Sequence, residues 1–182
     1  MGDSDLLDKG INRLEWARTH MEVLRQIGKS IKDSGALEGK RVGMALHVEA
    51  KTGILALTLQ EAGAKIRLAS CNPLSTDDSV ALALNKEYGL ETHAKKGESR
   101  DEYYANIESV IKLKPEITVD DGGDLVFLLH TKHRDLLPNV IGGNEETTTG
   151  IIRLKAMEAE GKLEYPVFAV NNAKMKHLFD NR

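Results

Sequence analysis

The stretch RVGMALHVEAKTGILALTLQEAGAKIRLAS (Arg41–Ser70) decides the fold. Arg41–Leu46 is an apolar run of strand length. Lys51–Glu61 then takes helical spacing and Gly63 ends it, after which Lys65–Ser70 is strand-like again. Two buried strands joined by a helix make a βαβ unit, which pairs the strands in parallel through a right-handed crossover.

The alternation continues downstream. Ser75-Thr76-Asp77-Asp78 offers an N-cap hydroxyl with an acid three residues on, so a helix is predicted there, running to about Tyr88. Leu90–Ala94 reads as a third strand. Ser99 and Glu102 form a second capping box that opens a helix to about Leu113. Pro115 blocks helix and precedes the strand Glu116–Asp120. Leu125–His133 reads as a short helix, Asn139–Ile141 as strand-like, Thr147–Glu160 as a helix closed by Gly161, and Tyr165–Asn171 as the last strand. Ala173–Phe179 begins another helix. Upstream, Leu6, Ile11, Leu14, Ala17, Met21, Leu24, Ile27 and Ile31 recur at helical steps, which predicts one amphipathic helix over Asp5–Ser34 stopped by Gly35. The reading is an α/β chain: a single doubly wound, mainly parallel sheet with helices on both faces plus an N-terminal helix.

Composition narrows the function classes. With 182 residues the chain is one domain's worth, and 25 basic against 28 acidic residues give a net charge of −3. That balance argues against a nucleic-acid grip, which needs a basic stripe, and 4% aromatics argue against base-stacking platforms. A single cysteine excludes an internal disulfide and suits a reducing compartment. No apolar run reaches membrane-span length, and the start MGDSDLLDKG carries neither a signal pattern nor a myristoylation motif. The expectation is a soluble cytoplasmic domain with no membrane partner.

Ligands of open parallel sheets bind beyond the carboxyl ends of the strands. Five such ends carry polar or glycine-rich clusters: His47-Val48-Glu49-Ala50-Lys51-Thr52, Cys71-Asn72-Pro73, Asp120-Asp121-Gly122-Gly123-Asp124, Gly142-Gly143-Asn144-Glu145-Glu146-Thr147-Thr148-Thr149, and Asn171-Asn172 with Lys176, Asp180 and Asn181 beyond. Their coincidence on one rim predicts a pocket for a small polar ligand. Each cluster also has a plainer reading. His47 could be a hydrogen-bonded strand-end histidine, and Asp120, Asp121 and the threonines could be helix caps. Lys176 and Asp180 could be a surface pair at i,i+4, and Cys71 a buried inert thiol. No Cys/His cluster has zinc spacing, so no metal is predicted, and G-x-x-x-x-G-K-[ST], G-x-S-x-G and G-x-G-x-x-G are all absent from the sequence.

LHVEAKT, LASCNPLST, VDDGGDL, GGNEETTTGIIRLKAM and the ending K-x-x-x-DN occur together and in order, and from about residue 12 onward the chain resembles S-adenosyl-L-homocysteine hydrolase, adenosylhomocysteinase. The LHVEAKT wording is more similar to the archaeal and thermophilic-bacterial branch than to the animal one. The resemblance implies reversible cleavage of S-adenosylhomocysteine to adenosine and homocysteine. Tightly bound NAD oxidises the ribose 3′-hydroxyl, the 4′ proton becomes acidic, the 5′ thiolate leaves, water adds, and the ketone is reduced. By motif, Lys176 and Asp180 would flank the 3′-hydroxyl, Asp121 and His47 would handle protons near the 4′ and 5′ positions, and Glu146 would accept from the ribose hydroxyls. Thr147, Thr148, Thr149 and Asn181 would touch the NAD. Cys71, Asn72, Glu49, Lys51 and Thr52 would line the substrate pocket.

Two departures matter. The animal-type sequence has Thr where Glu49 stands and Glu where Lys51 stands, and a lysine suits the 6-keto oxygen of hypoxanthine, so inosine and S-inosylhomocysteine enter as substrates beside the adenosyl forms. Asn171-Asn172-Ala173-Lys174-Met175-Lys176 departs from the commoner N-D-S-x-x-K while keeping the spacing to Lys176. The chain is expected to be the substrate-binding domain over 1–182, lacking the NAD-binding Rossmann domain and C-terminal segment of the family, and inactive alone. Three readings stay open: a shortened chain, a subunit that pairs with a separate NAD-binding chain, or a stand-alone nucleoside-binding module. A homo-oligomer is in keeping with the family.

Overall fold

The computed structural model describes residues 2–179. The chain runs α1 (Asp3–His20), α2 (Glu22–Ser34), β1 (Arg41–Leu46), α3 (Ala50–Glu61), β2 (Lys65–Ser70), α4 (Asp78–Lys86), β3 (Glu91–His93) and α5 (Arg100–Ile111). It continues with β4 (Ile117–Asp120), α6 (Asp124–Lys132), β5 (Gly142–Glu145), α7 (Thr148–Ala159), β6 (Val167–Ala169) and α8 (Lys174–Phe179), with 3₁₀ turns at Arg134–Asn139 and Val170–Asn172. All six strands are parallel, in the order β3-β2-β1-β4-β5-β6. That is the doubly wound order. From β1 the chain builds outward through β2 to β3, then crosses back to β4 and builds outward the other way.

The two faces carry separate cores. Val42, Met44 and Leu46 of β1 pack with Leu14 of α1, Ile54 and Leu57 of α3 and Leu84 of α4. Ala45 and Ala69 point to the opposite face, with Ile107 of α5, Leu125 and Leu129 of α6 and Leu154 of α7. Strands buried on both faces have to be apolar almost throughout, as Arg41–Leu46 is. The Ser99–Glu102 capping box forms as expected at the start of α5. Among the described residues no helix is long and apolar enough to cross a membrane.

Three expectations need correction. The predicted single helix over Asp5–Ser34 is two, because Met21 leaves helical geometry (φ −112°, ψ 53°). The Thr19 hydroxyl and His20 ring both hydrogen-bond the Trp16 carbonyl at 2.7 Å, a local competitor to helix continuation. Helix α4 is capped by Asp77, whose carboxylate accepts from the Ser79 N–H, and not by Ser75. Strand β5 is Gly142–Glu145, not Asn139–Ile141. Its glycines are strand residues, Gly143 against the ring of Tyr165 and the side chain of Thr118, Gly142 against Pro166.

The last residues of β4 and β5, Asp120 and Glu145, are register partners and both fully buried. Burial pushes the Asp120 carboxyl up to about 8, with the nearby Glu145 adding to the rise and the donating N–H groups of Val126 and Asp121 opposing it.

Two tests follow from this architecture. Leu14→Ala empties a fully buried site where α1 meets α3 and α4, and is expected to cost about 2–5 kcal/mol in denaturant unfolding. Because Asp120 binds its proton more tightly when folded, its contribution is present below the ordinary carboxylate range and is lost as pH rises toward 8. Asp120→Asn should therefore flatten the fall of unfolding free energy between about pH 4 and 8, whatever its absolute cost. An unchanged slope in urea titrations across that range would contradict the assignment.

Candidate functional site

The order reverses between β1 and β4, where the following loops diverge and leave a crevice. A cleft of about 490 Å³ lies there. Its wall includes His47, Glu49, Lys51 and Thr52 after β1, Asp121 after β4, Glu146 and Thr147 after β5, and Lys176 on α8. Met21 and Leu24 line its apolar side, so the break between α1 and α2 contributes to the cleft.

His47 and Asp121 face each other across the switch, Nε2 to Oδ2 at 3.4 Å. On the far side of the ring, Nδ1 lies 2.5 Å from the Ser75 hydroxyl. That hydroxyl in turn donates to the Asn72 carbonyl at 3.1 Å. With its proton committed there, the Ser75 oxygen accepts from Nδ1–H, and Nε2 is left toward Asp121. Composition pointed to Ser75 only as a helix cap, and its contact with His47 is not visible in sequence spacing.

Cys71 completes a triad with these two, the donor atoms of His47, Cys71 and Asp121 all lying within 4.8 Å of one another. Burial pushes the thiol well above its ordinary range, and the charges of Asp121 and Asp120 and a hydrogen bond to Asp121 add to the effect, so the group is a neutral thiol. Asn72 turns away. Its Oδ1 accepts from the Leu74 N–H at 2.9 Å, and it lines an adjoining cleft with Tyr103 and Asp124.

The Asp121 loop is held from several sides. Gly122 and Gly123 have φ of 106° and 79°, a region that a side chain makes costly. Arg153 donates to the Gly122 carbonyl at 2.9 Å and to the Asp124 carboxylate at 2.7 Å. Glu145 accepts from the Gly122 N–H at 2.8 Å and the Thr147 N–H at 3.1 Å. The sequence places Glu145 in the rim cluster Gly142–Thr149 without a role of its own, because its glycine-rich strand reads as loop.

Lys176 is 14% exposed and its Nζ meets three oxygens: the Glu146 carbonyl at 2.5 Å, Asn171 Oδ1 at 2.9 Å and Glu146 Oε1 at 3.1 Å. Asn171 donates on to the Thr148 hydroxyl at 3.0 Å, which ties α8 to the amino end of α7. Thr148 and Thr149 are exposed there. Asp180 and Asn181 lie outside the described residues.

The S-adenosyl-L-homocysteine hydrolase profile matches residues 1–136 and 130–182. An adenosylhomocysteinase of Thermoplasma volcanium is 56% identical over 174 residues, 96% of this chain and 42% of that protein. An S-inosyl-L-homocysteine hydrolase of Methanocaldococcus jannaschii is 54% identical over 180 residues, 99% of this chain and 43% of that protein. An adenosylhomocysteinase of Archaeoglobus fulgidus is 51% identical over 96% of this chain and 43% of its own length. The chain thus spans less than half the length of these curated relatives. With a family profile matched from the first residue to the last, and the family's motifs gathered at one switch point, the chain belongs to the S-adenosyl-L-homocysteine hydrolase family.

Proposed function

We propose that this chain is the substrate-binding part, residues 1–182, of an enzyme that reversibly cleaves S-adenosylhomocysteine or S-inosylhomocysteine into a nucleoside and homocysteine. The carrying observation is the single cleft that gathers His47, Asp121, Glu146 and Lys176 around a nucleoside-sized space. The Glu146 carboxylate beside the Lys176 ammonium offers an acceptor and a donor to the adjacent hydroxyls of a ribose. The His47–Asp121 pair, an imidazole facing a carboxylate, can take a proton from a sugar carbon and return it to a leaving thiolate or to water. Cys71, neutral, lines the adjoining cleft with Asn72. Asp180 joins Lys176 in this reading on the resemblance alone. We place the reaction in the cytoplasm, where a lone cysteine stays reduced.

The cofactor of this reading is NAD, which when bound accepts a hydride from the ribose 3′ carbon and gives it back. The residues present fit only the rim of such a group. Thr147, Thr148 and Thr149 stand at the positive end of α7, with Asn181 grouped beside them by motif. The turn after β1, where a doubly wound domain cradles a pyrophosphate on glycines, carries His47-Val48-Glu49-Ala50, with the acid at the N-cap. A glycine-rich turn from a partner chain or a further domain would complete the site, and copies of the chain would assemble with it. The same observation favours a second reading, a nucleoside-binding module without turnover.

The base is recognised by the first turn of α3. Hypoxanthine presents a 6-keto acceptor next to an N1–H donor, whereas adenine presents a 6-amino donor next to an N1 acceptor. Lys51 as donor and Glu49 as acceptor, both exposed on the cleft wall, match hypoxanthine. The relatives' names include both substrates at similar identity.

In calorimetry on this chain, inosine is expected to bind about tenfold more tightly than adenosine, and Lys51→Glu to reverse the order. A strong adenosine preference unmoved by Lys51→Glu would sink the base assignment. The pure chain mixed with NAD and S-inosylhomocysteine should release no inosine, whereas adding a family chain that carries G-x-G-x-x-G should restore release. Release by the pure chain would refute the division of labour. Tight nucleoside binding with no release in the mixture would favour the module.

A further inference from the structure

We propose that Glu145 is a positioning residue whose buried carboxylate ties together the two loops that carry Asp121 and Glu146, and so sets the spacing of the two acids that face the sugar. The inference rests on the nucleoside reading above. Gly122 directly follows Asp121, and Thr147 directly follows Glu146. A single oxygen, Glu145 Oε1, accepts from both of their N–H groups, at 2.8 and 3.1 Å. The joint is doubled by the Glu146 N–H, which donates to the Asp120 carbonyl at 2.9 Å. The two loops therefore meet on the ends of β4 and β5.

The carboxyl cannot swing out of this place. A Cβ on Gly150 would come within 2.1–2.6 Å of its three carboxyl atoms, so the first turn of α7 lies directly against it. Its other oxygen, Oε2, is buried without a hydrogen-bond partner among the described residues. An acceptor left unpaired in the interior is costly, and an apolar residue would avoid that cost. What an apolar residue would not do is hold two amides on one atom. Burial, together with the charges of Asp121 and Glu146, raises the Glu145 carboxyl above its ordinary range, which agrees with its closeness to both acids.

The test uses the whole chain, with inosine and adenosine as calorimetric probes, thermal unfolding, and the NMR amide proton shifts of Gly122 and Thr147. Glu145→Asp keeps the charge but retracts it by one methylene, so both amide signals should move upfield and affinity should fall by about tenfold or more. Glu145→Gln keeps an oxygen at full reach and should recover most of the loss. Leu129→Ala, fully buried in the core packed by α5, α6 and α7, is the control for lost stability and should lower the melting temperature while leaving affinity unchanged. Unaltered affinity in Glu145→Asp would overturn the proposal. So would an affinity loss that only tracks melting temperature across Glu145→Asp and Leu129→Ala. If the unmodified chain binds neither nucleoside, the functional reading fails instead, and unmoved amide signals in Glu145→Asp would show that Glu145 does not join the loops.

Discussion

Everything in the cleft depends on the parallel pairing of β1 with β4. Val42 to Ala45 register with Ile117 to Asp120, so the two strands end within one residue of each other. The chain leaves β1 toward one face and β4 toward the other, and a right-handed crossover allows nothing else. The loops must part, and the polar residues that follow each strand are left facing one space. Strand register brings the residues after β1 and β4 close, with His47 and Asp121 at 3.4 Å. The side chains that need help are those on the longer loops, and that help comes from buried polar groups.

Those groups carry a cost. Asp120 and Glu145 are ionisable side chains in a low-dielectric interior, on neighbouring strands, and both are pushed toward the protonated form. A sheet end with apolar residues there would be more stable in isolation. In exchange, the backbone of Asp121-Gly122-Gly123 and of Glu146-Thr147 is fixed by hydrogen bonds to side chains that cannot move. Rigidity of this kind lowers what a ligand must supply on binding, since the acids are already placed.

The sequence was legible where local chemistry decides the outcome. Arg41–Ser70 announced a βαβ unit, Ser99 and Glu102 announced a cap, and the strand-end clusters announced the rim. It was illegible where tertiary contacts overrule local preference. Helical spacing passes through Met21 undisturbed, so nothing in the periodicity marks the break that side chains of Thr19 and His20 stabilise. Gly142-Gly143 has loop composition, yet it is strand, paired between β4 and β6 with Gly143 against the Tyr165 ring. That misplacement hid Glu145, because a residue assigned to a loop is not expected to be buried. Ser75 was hidden differently: it stands where a cap should, while Asp77 takes the cap and leaves the hydroxyl to His47.

The cleft has two ends of unlike character. At one, Asp121, Glu146 and Lys176 are partly or largely buried and cross-braced, so a change in any of them disturbs several hydrogen bonds at once. At the other, Glu49 and Lys51 are exposed on the first turn of α3, with the helix held from below by Ile54 and Leu57. Substitutions there need no repacking. In the proposed reading the sugar chemistry sits at the braced end and the base at the free end. Relatives named for adenosyl and inosyl substrates can then match this chain at more than half of the aligned positions. In that reading, discrimination of the base would require only that a donor and an acceptor exchange places on an exposed turn, whereas chemistry on the sugar would use the geometry that the braced sheet end holds.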